Sequence, residues 1–277
     1  MTDPIELHTT YLRQRNLRPS TIYQRQRVLA RVARHLGHSA HLEVTTDELQ
    51  GYLDARPSPE SVATELSHLR SFYRWALLAG LIDVDPTLRL IRPKTKRRLP
   101  RPTDESDVAL ITERVAGRAR PMVLLAGWAG LRACEISQLR VDDILWSQKR
   151  IQIVTSKGGD ESSATLGIHL AEGLRSCDLP TRGWVCPRVD GRPGPLPPWM
   201  ISKIANRALR EIGVTSTLHQ LRHRFGTQVQ LAGRDIRRTQ EALRHRTIAS
   251  TIGYTLICND QVLDTVEQIP PPMRLAG

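Results

Sequence analysis

The chain has 277 residues, enough for two ordinary domains, and a formal net charge of +12 with an isoelectric point near 10.3. This much positive charge favours a polyanionic partner, above all nucleic acid, although a ribosome-associated or simply basic protein could share it. Its four cysteines have neither C-x-x-C nor other zinc-ligand spacing, which argues against a zinc site and a disulfide framework, and no apolar run approaches a membrane span.

Residues 1–92 are predicted to form a small, entirely helical domain of about four or five helices, because strand patterns are absent there. Ser20 is the predicted N-cap of a helix that carries an apolar stripe and ends at Gly37. Thr45 and Glu48 have the spacing of a capping box and predict the start of the next helix.

A third long helix of this domain is predicted to begin at Ser58 and Pro59, which suit the N-cap and N1 positions, and to end at Gly80. A short helix over residues 85–90 is expected to follow. The buried face of the long helix should carry Val62, Leu66, Leu69, Tyr73 and Leu77.

Basic side chains are concentrated in two places. Seven arginines crowd the first third of the helical domain and indicate a solvated helix face or, as we favour, a phosphate-contacting one. Residues 93–102 hold three prolines, five basic residues and no acid, which predicts a stiff linker that follows the DNA backbone; a nuclear-localisation segment is the weaker alternative. The predicted DNA-binding residues of the linker are Lys94, Lys96, Arg97, Arg98 and Arg101.

Residues 103–277 are predicted to form a second, mixed domain, so the fold class is mainly α with a small antiparallel β-sheet. A helix should begin near Thr103, and alternating strands Arg150–Val154 and Ser163–Ile168 predict a hairpin with Lys157 at its tip. Residues 177–199 should be loop. After a turn bracketed by Gly127 and Gly130, a helix is predicted to run to Leu139. The other predicted helices cover 120–128, 198–212, 220–231, 236–243, 248–254 and 261–269.

The stretch 218–254 brings together residue types suited to phosphate chemistry. His219 and Arg222 are three residues apart, so they can share one face of a helix, and His245 and Tyr254 follow. An arginine binds phosphate oxygens in a planar fork, a histidine exchanges protons near neutral pH, and a phenol can attack phosphorus.

In chain order, five pieces of the second domain match one known family: AGLRACEISQL with Arg132, the hairpin-tip Lys157, HQLRH, LRHR with His245, and TIGY with Tyr254. With them the chain resembles the tyrosine recombinase (phage integrase) family. The resemblance covers essentially the whole chain, because the helical domain and basic linker resemble the family's core-DNA-binding domain and its strap. We expect no further module before the helical domain and therefore a simple type without an arm-binding domain.

The resemblance implies strand exchange through covalent intermediates. Tyr254 would attack the scissile phosphate, form a 3′-phosphotyrosyl link and release a 5′-hydroxyl, which then reverses the step on a partner duplex through a Holliday junction. Of the five tyrosines, only Tyr254 lies in the second domain. Neither a cofactor nor a metal is implied, because the covalent link conserves the bond energy and side chains supply the cations.

The remaining roles follow from the same resemblance. Arg132 and Arg222 would clamp the non-bridging phosphate oxygens. Lys157 would protonate the leaving 5′-oxygen, and His219 would act as general base toward the phenol. His245, also catalytic, would donate a hydrogen bond to the phosphoryl group. Glu135 would support the site by orienting it.

Two departures from the family pattern are visible. Arg244 stands before His245, where the family often has glycine, and Asp160 and Glu161 make the hairpin less basic than is common. Each matching residue also has a structural interpretation taken singly: an ion pair between Arg132 and Glu135, a surface cation, a turn lysine or a core tyrosine.

The expected partner is double-stranded DNA at attachment or core sites. A short helix over Gln261–Ile269 has an apolar face that, by the resemblance, would dock on a neighbouring protomer and give a homotetramer on DNA; packing on its own domain is the alternative. A directionality factor could assist. We expect a soluble cytoplasmic protein, in the bacterial host if phage-encoded, with no membrane partner.

Several functions share these residues. The leading hypothesis is a phage-type integrase, and a cellular recombinase that resolves chromosome or plasmid dimers would have the same catalytic set. A catalytically silent DNA-binding regulator would bind without a covalent adduct. A type IB topoisomerase would relax supercoiled DNA without a cognate site.

Overall fold

A computed structural model describes residues 3–38, 41–95, 99–154 and 161–257. The chain divides into two compact units, Met1–Arg97 and Arg98–Gly277. The described residues are mainly helical with one small antiparallel sheet, which confirms the predicted fold class.

The N-terminal unit contains four helices within its described residues: α1 (Pro4–Gln14), α2 (Pro19–Leu36), α3 (Thr46–Asp54) and α4 (Pro59–Leu78). The predicted capping box is present, with the Glu48 carboxylate accepting from the Thr45 backbone N–H at 2.8 Å. The core of this unit is made of fully buried apolar side chains from α2, α3 and α4, among them Val32, Leu49, Leu66, Leu69 and Phe72.

Three local predictions in this unit are wrong. Helix α2 begins at Pro19 with Arg18 at the N-cap, not Ser20, because proline at N1 starts the helix two residues earlier. Residues 86–89 form a turn, not a helix, because the Asp85 carboxylate accepts from the Thr87 backbone N–H at 2.7 Å and holds the chain in the turn. Leu77 lies on the exposed side of α4, and Ala76 takes the buried position.

The C-terminal unit is built of eight helices and a three-stranded sheet within its described residues. The helices are α5 (Glu105–Arg114), α6 (Ala119–Ala129), α7 (Ala133–Gln138), α8 (Ile168–Arg175), α9 (Pro198–Glu211), α10 (Leu218–Gly233), α11 (Ile236–Ala242) and α12 (Ile252–Ile257). The strands are β1 (Ile144–Leu145), β2 (Arg150–Val154) and β3 (Glu161–Thr165), which pair in that order and antiparallel.

The predicted hairpin is present, with a shifted return strand. Arg150 pairs with Thr165 and Val154 with Glu161, so β3 ends at Thr165 and Ile168 already begins helix α8. Strand β1 and helix α8 were missed. The predicted helix 248–254 is a 3-10 turn over Ile248–Ser250 followed by α12. The hairpin tip with Lys157, and the predicted helix 261–269, lie outside the described residues.

Helix α6 forms the centre of this unit and aligns the elements that carry the candidate site. It packs against α8, α9 and α10, and its consecutive residues from Pro121 to Gly127 are all buried. Gly130 ends the helix at φ +60°, where a Cβ would overlap the ring of Phe225 on α10. The close approach places the loop after α6 beside the middle of α10.

Candidate active site

Glu135 lies in the first turn of α7 and fixes the arginine that precedes this helix. Its carboxylate accepts from the backbone N–H of Arg132 at 2.8 Å and from Arg132 Nη1 at 2.7 Å. The Arg132 side chain remains 36% exposed, so it is partly accessible to solvent. The two residues therefore form a local unit that presents a cation at the end of α6.

Arg222 reaches the same place from α10 but is buried. It donates to the carbonyl oxygen of Gly130 and, at 2.7 Å, to that of Leu243, and it lies 3.8 Å from the Glu135 carboxylate. Burial, with the nearby Arg132 charge, lowers the pKa of Arg222 to about 9, so the side chain still carries its charge at neutral pH. Arg222 is thus held between the loop after α6 and the end of α11.

Arg244 is a third arginine that contacts the Glu135 carboxylate. Its backbone is left-handed at φ +52°, where glycine is usual, and Nη2 donates to the Gly130 carbonyl at 2.9 Å and to Glu135 at 3.1 Å. Nη1 donates to the Ala242 carbonyl at 2.9 Å. The arginine side chain occupies the space beside Glu135 and ties the loop after α11 to the end of α6.

Three arginines thus converge on one buried carboxylate. Burial by itself would raise the pKa of Glu135, but Arg244, the Arg132 backbone N–H and the charges of Arg132 and Arg222 outweigh it and leave that pKa below its ordinary value. Glu135 is therefore ionised at neutral pH, and it neutralises only part of the positive charge around it. The net positive charge that remains suits an anionic ligand.

Three histidines border this cationic group. His219 and His223 lie one turn apart on α10, with ring centroids 4.4 Å apart, and His245 Nδ1 lies 3.0 Å from the Thr251 hydroxyl. Burial lowers the pKa of His223 and of His245 to about 4, with neighbouring cations or histidines adding to the effect. Burial also lowers the pKa of His219. All three imidazoles are neutral near pH 7 and can accept protons.

Tyr254 of α12 is buried beside the histidines. Its hydroxyl lies 2.8 Å from His223 Nδ1, and its ring centroid is 6.3 Å from that of His245. Burial raises the pKa of the phenol, while the charges of Arg222 and Arg132 oppose that rise. The ring lies directly over Gly226 of α10, where an added Cβ would come within 2.7 Å of it.

The structure brings most of the sequence-predicted site residues together. Arg132 and Arg222 both contact Glu135, and the His245 ring lies near the Tyr254 ring, while His219 joins the group through its ring contact with His223. Lys157 lies outside the described residues, as do Lys96, Arg97 and Arg98 of the predicted linker. Lys94 and Arg101 are exposed.

Two residues of the site were missed by the sequence analysis. His223 could have been found, because it lies four residues after His219 and so shares one face of the helix with it. Arg244 could not have been assigned a contact, because nothing local indicates that its side chain reaches back to Gly130 and Glu135.

Searches for two other kinds of feature were negative within the described ranges. No group of three histidine, cysteine, aspartate or glutamate side chains is placed to hold a metal ion there. None of the helices in that part of the chain is long and apolar enough to cross a membrane.

Comparison with known proteins gives consistent matches over both units. Residues 103–259 match the phage integrase family, and residues 5–80 match its N-terminal SAM-like domain. The tyrosine recombinase XerC of Azotobacter vinelandii is 30% identical over 244 residues, which cover 82% of this chain and 77% of the relative. The tyrosine recombinase XerD of Mycobacterium leprae is 29% identical over 282 residues, covering 88% of this chain and 89% of the relative.

Solved structures share the fold at lower identity. A lambda integrase (75-356) dimer bound to a COC′ core site superimposes with a TM-score of 0.72 at 20% identity, covering 92% of this chain and 94% of that one. A lambda integrase tetramer bound to a Holliday junction gives a TM-score of 0.69, also at 20% identity, over 88% of this chain and 76% of that one.

Proposed function

The chain belongs to the phage integrase family of tyrosine recombinases, enzymes that cut and rejoin DNA, and we propose that it acts as a phage-type integrase that joins and separates two DNA attachment sites. One observation carries the proposal. The buried Tyr254 hydroxyl touches a histidine of the helix that also carries Arg222, beside a group of three arginines around one carboxylate.

The chemistry follows from this arrangement. Tyr254 Oη attacks the scissile phosphorus, the P–O5′ bond breaks, and a 3′-phosphotyrosyl link stores the phosphodiester energy. Arg132 and Arg222 stabilise the charge that develops on the non-bridging oxygens, and Glu135 keeps both guanidinium groups in place before the substrate arrives. Lys157 is proposed to protonate the departing 5′-oxygen, as the family resemblance implies.

The assembly follows from the reaction. Exchange between two duplexes requires four strand cleavages, so we propose a homotetramer on two DNA sites, with the segment Gln261–Ile269 as the contact between protomers. The solved lambda integrase tetramer on a Holliday junction supports this arrangement by analogy. We propose that the enzyme acts in the bacterial cytoplasm and that a directionality factor biases the reaction.

Covalent trapping tests the proposal. A duplex is first selected from a randomised library by binding to the protein and is then rebuilt with a nick, so that the cleaved fragment diffuses away and the adduct accumulates. The wild-type protein should give a slow-migrating protein–DNA band after denaturation, and Tyr254→Phe should give none. Tyr73→Phe is the matched control, because the buried Tyr73 hydroxyl has no hydrogen-bond partner among the described residues. Sequence-selective binding without any adduct would contradict the proposal and indicate a silent regulator.

A cellular dimer-resolving recombinase is the second candidate, favoured by the similarity to relatives named XerC and XerD. Reporter plasmids distinguish an integrase from a dimer-resolving recombinase. A resolving enzyme recombines two copies of the selected site in direct repeat, whereas an integrase requires a second site of different sequence.

A further inference from the structure

The Tyr254 hydroxyl has one hydrogen-bonding neighbour among the described residues, and this neighbour is a histidine that the sequence analysis did not select. His223 Nδ1 lies 2.8 Å from the oxygen, and the two residues are 31 positions apart in the chain. Tyr254 is only 2% exposed, so water has little access to the phenol. Among the described residues, His223 is therefore the one in hydrogen-bond contact with the phenol that could take its proton.

The other groups around the phenol are poor acceptors for its proton. Arg132, Arg222 and Arg244 have only donor atoms. The Glu135 oxygens are engaged by these same arginines. A neutral imidazole nitrogen is the remaining type of acceptor, and His223 supplies it at hydrogen-bond distance.

The environment of His223 keeps its imidazole neutral. Burial first, then His219 and Arg222 on the same helix, lower the pKa of His223 to about 4. From the other elements, Tyr254 of α12 and His245 after α11 face the same group. Since each neighbouring cation disfavours a further positive charge, the imidazole is neutral at neutral pH, and in the tautomer with its proton on Nε2 the Nδ1 atom can accept from the phenol.

We propose that His223, through Nδ1, is the residue that accepts the phenolic proton of Tyr254 during strand cleavage, the role that the family resemblance would give to His219. The inference rests on the proposed recombinase function. The Tyr254 Oη–phosphorus bond forms as the P–O5′ bond breaks, the phenolic proton moves to His223, and the 5′-oxygen takes a proton from a separate acid, proposed as Lys157. In the joining step the imidazolium returns the proton to the departing phenol.

Two variants of His223 separate proton transfer from positioning. In His223→Asn, the amide oxygen can take the place of Nδ1 and hold the phenol, but it does not bind a proton at neutral pH. His223→Ala leaves space for an added imidazole. His219→Ala is the competing variant, and His169→Asn, which changes an exposed histidine of α8, is the matched control.

The probe is the library-selected duplex carrying sulfur in place of the bridging 5′-oxygen. A thiolate departs without a proton, so the rate of adduct formation reports on the tyrosine side alone. We expect His223→Ala and His223→Asn to bind the duplex like wild type and to form adduct about 100-fold more slowly, while His169→Asn is unchanged. Added imidazoles should rescue His223→Ala, and rescue should increase with their basicity.

The possible results distinguish failure of the proposal for His223 from failure of the proposed function. Full activity of His223→Asn, or absence of imidazole rescue in His223→Ala, would overturn proton transfer by His223. Imidazole rescue of His219→Ala alone would give the role to His219. In each of these cases the wild-type protein still forms the adduct and the recombinase function stands. Failure of the wild-type protein to form any adduct with the selected duplex would remove the proposed function and this inference with it.

Discussion

Glu135 determines the geometry of the arginines because it is the only carboxylate placed among them in the described part of the chain. It is bound by Arg132 from its own helix and by Arg244 from a distant loop, with Arg222 slightly farther away. A buried carboxylate with three cationic neighbours is stable only in its ionised form. Its contribution to stability must therefore depend on pH.

Glu135→Gln tests this dependence. At pH 7 the variant should lose about 3 kcal/mol of unfolding free energy, because buried guanidinium groups lose their counter-charge. The folded pKa of Glu135 is below its ordinary value of 4.5, so its charge stabilises the protein above that pH and the contribution is lost as the pH falls through the folded pKa. Chemical denaturation from pH 7 to pH 3 should show the gap between wild type and variant narrowing below about pH 4.5. A constant gap would contradict this account.

The backbone of Arg244 is strained, and the contacts of its side chain offset this strain. Arg244→Gly removes the strain but also the bonds to Gly130, Ala242 and Glu135. We expect a net loss of about 1–3 kcal/mol in unfolding free energy and slower adduct formation, because Glu135 loses a partner that holds it. Lys149→Gly is the control, since Lys149 has the same φ of +52° and an exposed side chain, and it should be neutral or stabilising. Equal behaviour of the two variants would show that Arg244 has no positioning role.

At the scale of elements, the site depends on how closely α12 approaches α10. Gly226 makes this approach feasible, because it leaves room for the Tyr254 ring and the Leu243 side chain. The nucleophile candidate is therefore positioned by helix packing, in addition to the contact of its hydroxyl with His223.

Gly226→Ala should move α12 away from α10. An added Cβ would lie 2.7 Å from the Tyr254 ring, a contact that costs about 1–3 kcal/mol and exceeds the gain in helix propensity. Adduct formation should fall, and hydrogen exchange over residues 252–257 should accelerate. Gly233→Ala in the same helix is the control, because its Cβ would meet only Arg238 at an ordinary 3.8 Å. Retained activity and protection in Gly226→Ala would refute the packing argument.

At the scale of the whole molecule, the net charge of +12 predicts DNA affinity that falls steeply with salt. We propose that the predicted linker contributes to this affinity through Lys94 and Arg101, which are both exposed. Lys94→Ala and Arg101→Ala should each reduce the slope of log K against log salt by about 1, because each removes one phosphate contact. Fluorescence anisotropy on the selected duplex measures the slope, and Lys94→Arg and Arg101→Lys should retain it. An unchanged slope in the alanine variants would exclude these residues from the DNA interface.

Local features were predictable from the sequence because their causes lie within a few residues. The capping box of Thr45 and Glu48, the N-cap at Ser58, the hairpin and the pair of Arg132 with Glu135 all depend on neighbours within about one turn or one β-turn. Errors arose where two local preferences competed, as at Pro19 and Ser20, or where a side chain closed a turn, as at Asp85.

The order of the motif residues along the chain was sufficient to identify the family and to select most of the site. Which histidine meets the Tyr254 hydroxyl was decided only by the tertiary structure, because His223 and Tyr254 are 31 residues apart and are brought together by the packing of α12 on α10. The same holds for Arg244 and Gly130, which are 114 residues apart. Sequence spacing determines which side chains share a helix face, but contacts between helices depend on how closely their backbones pack.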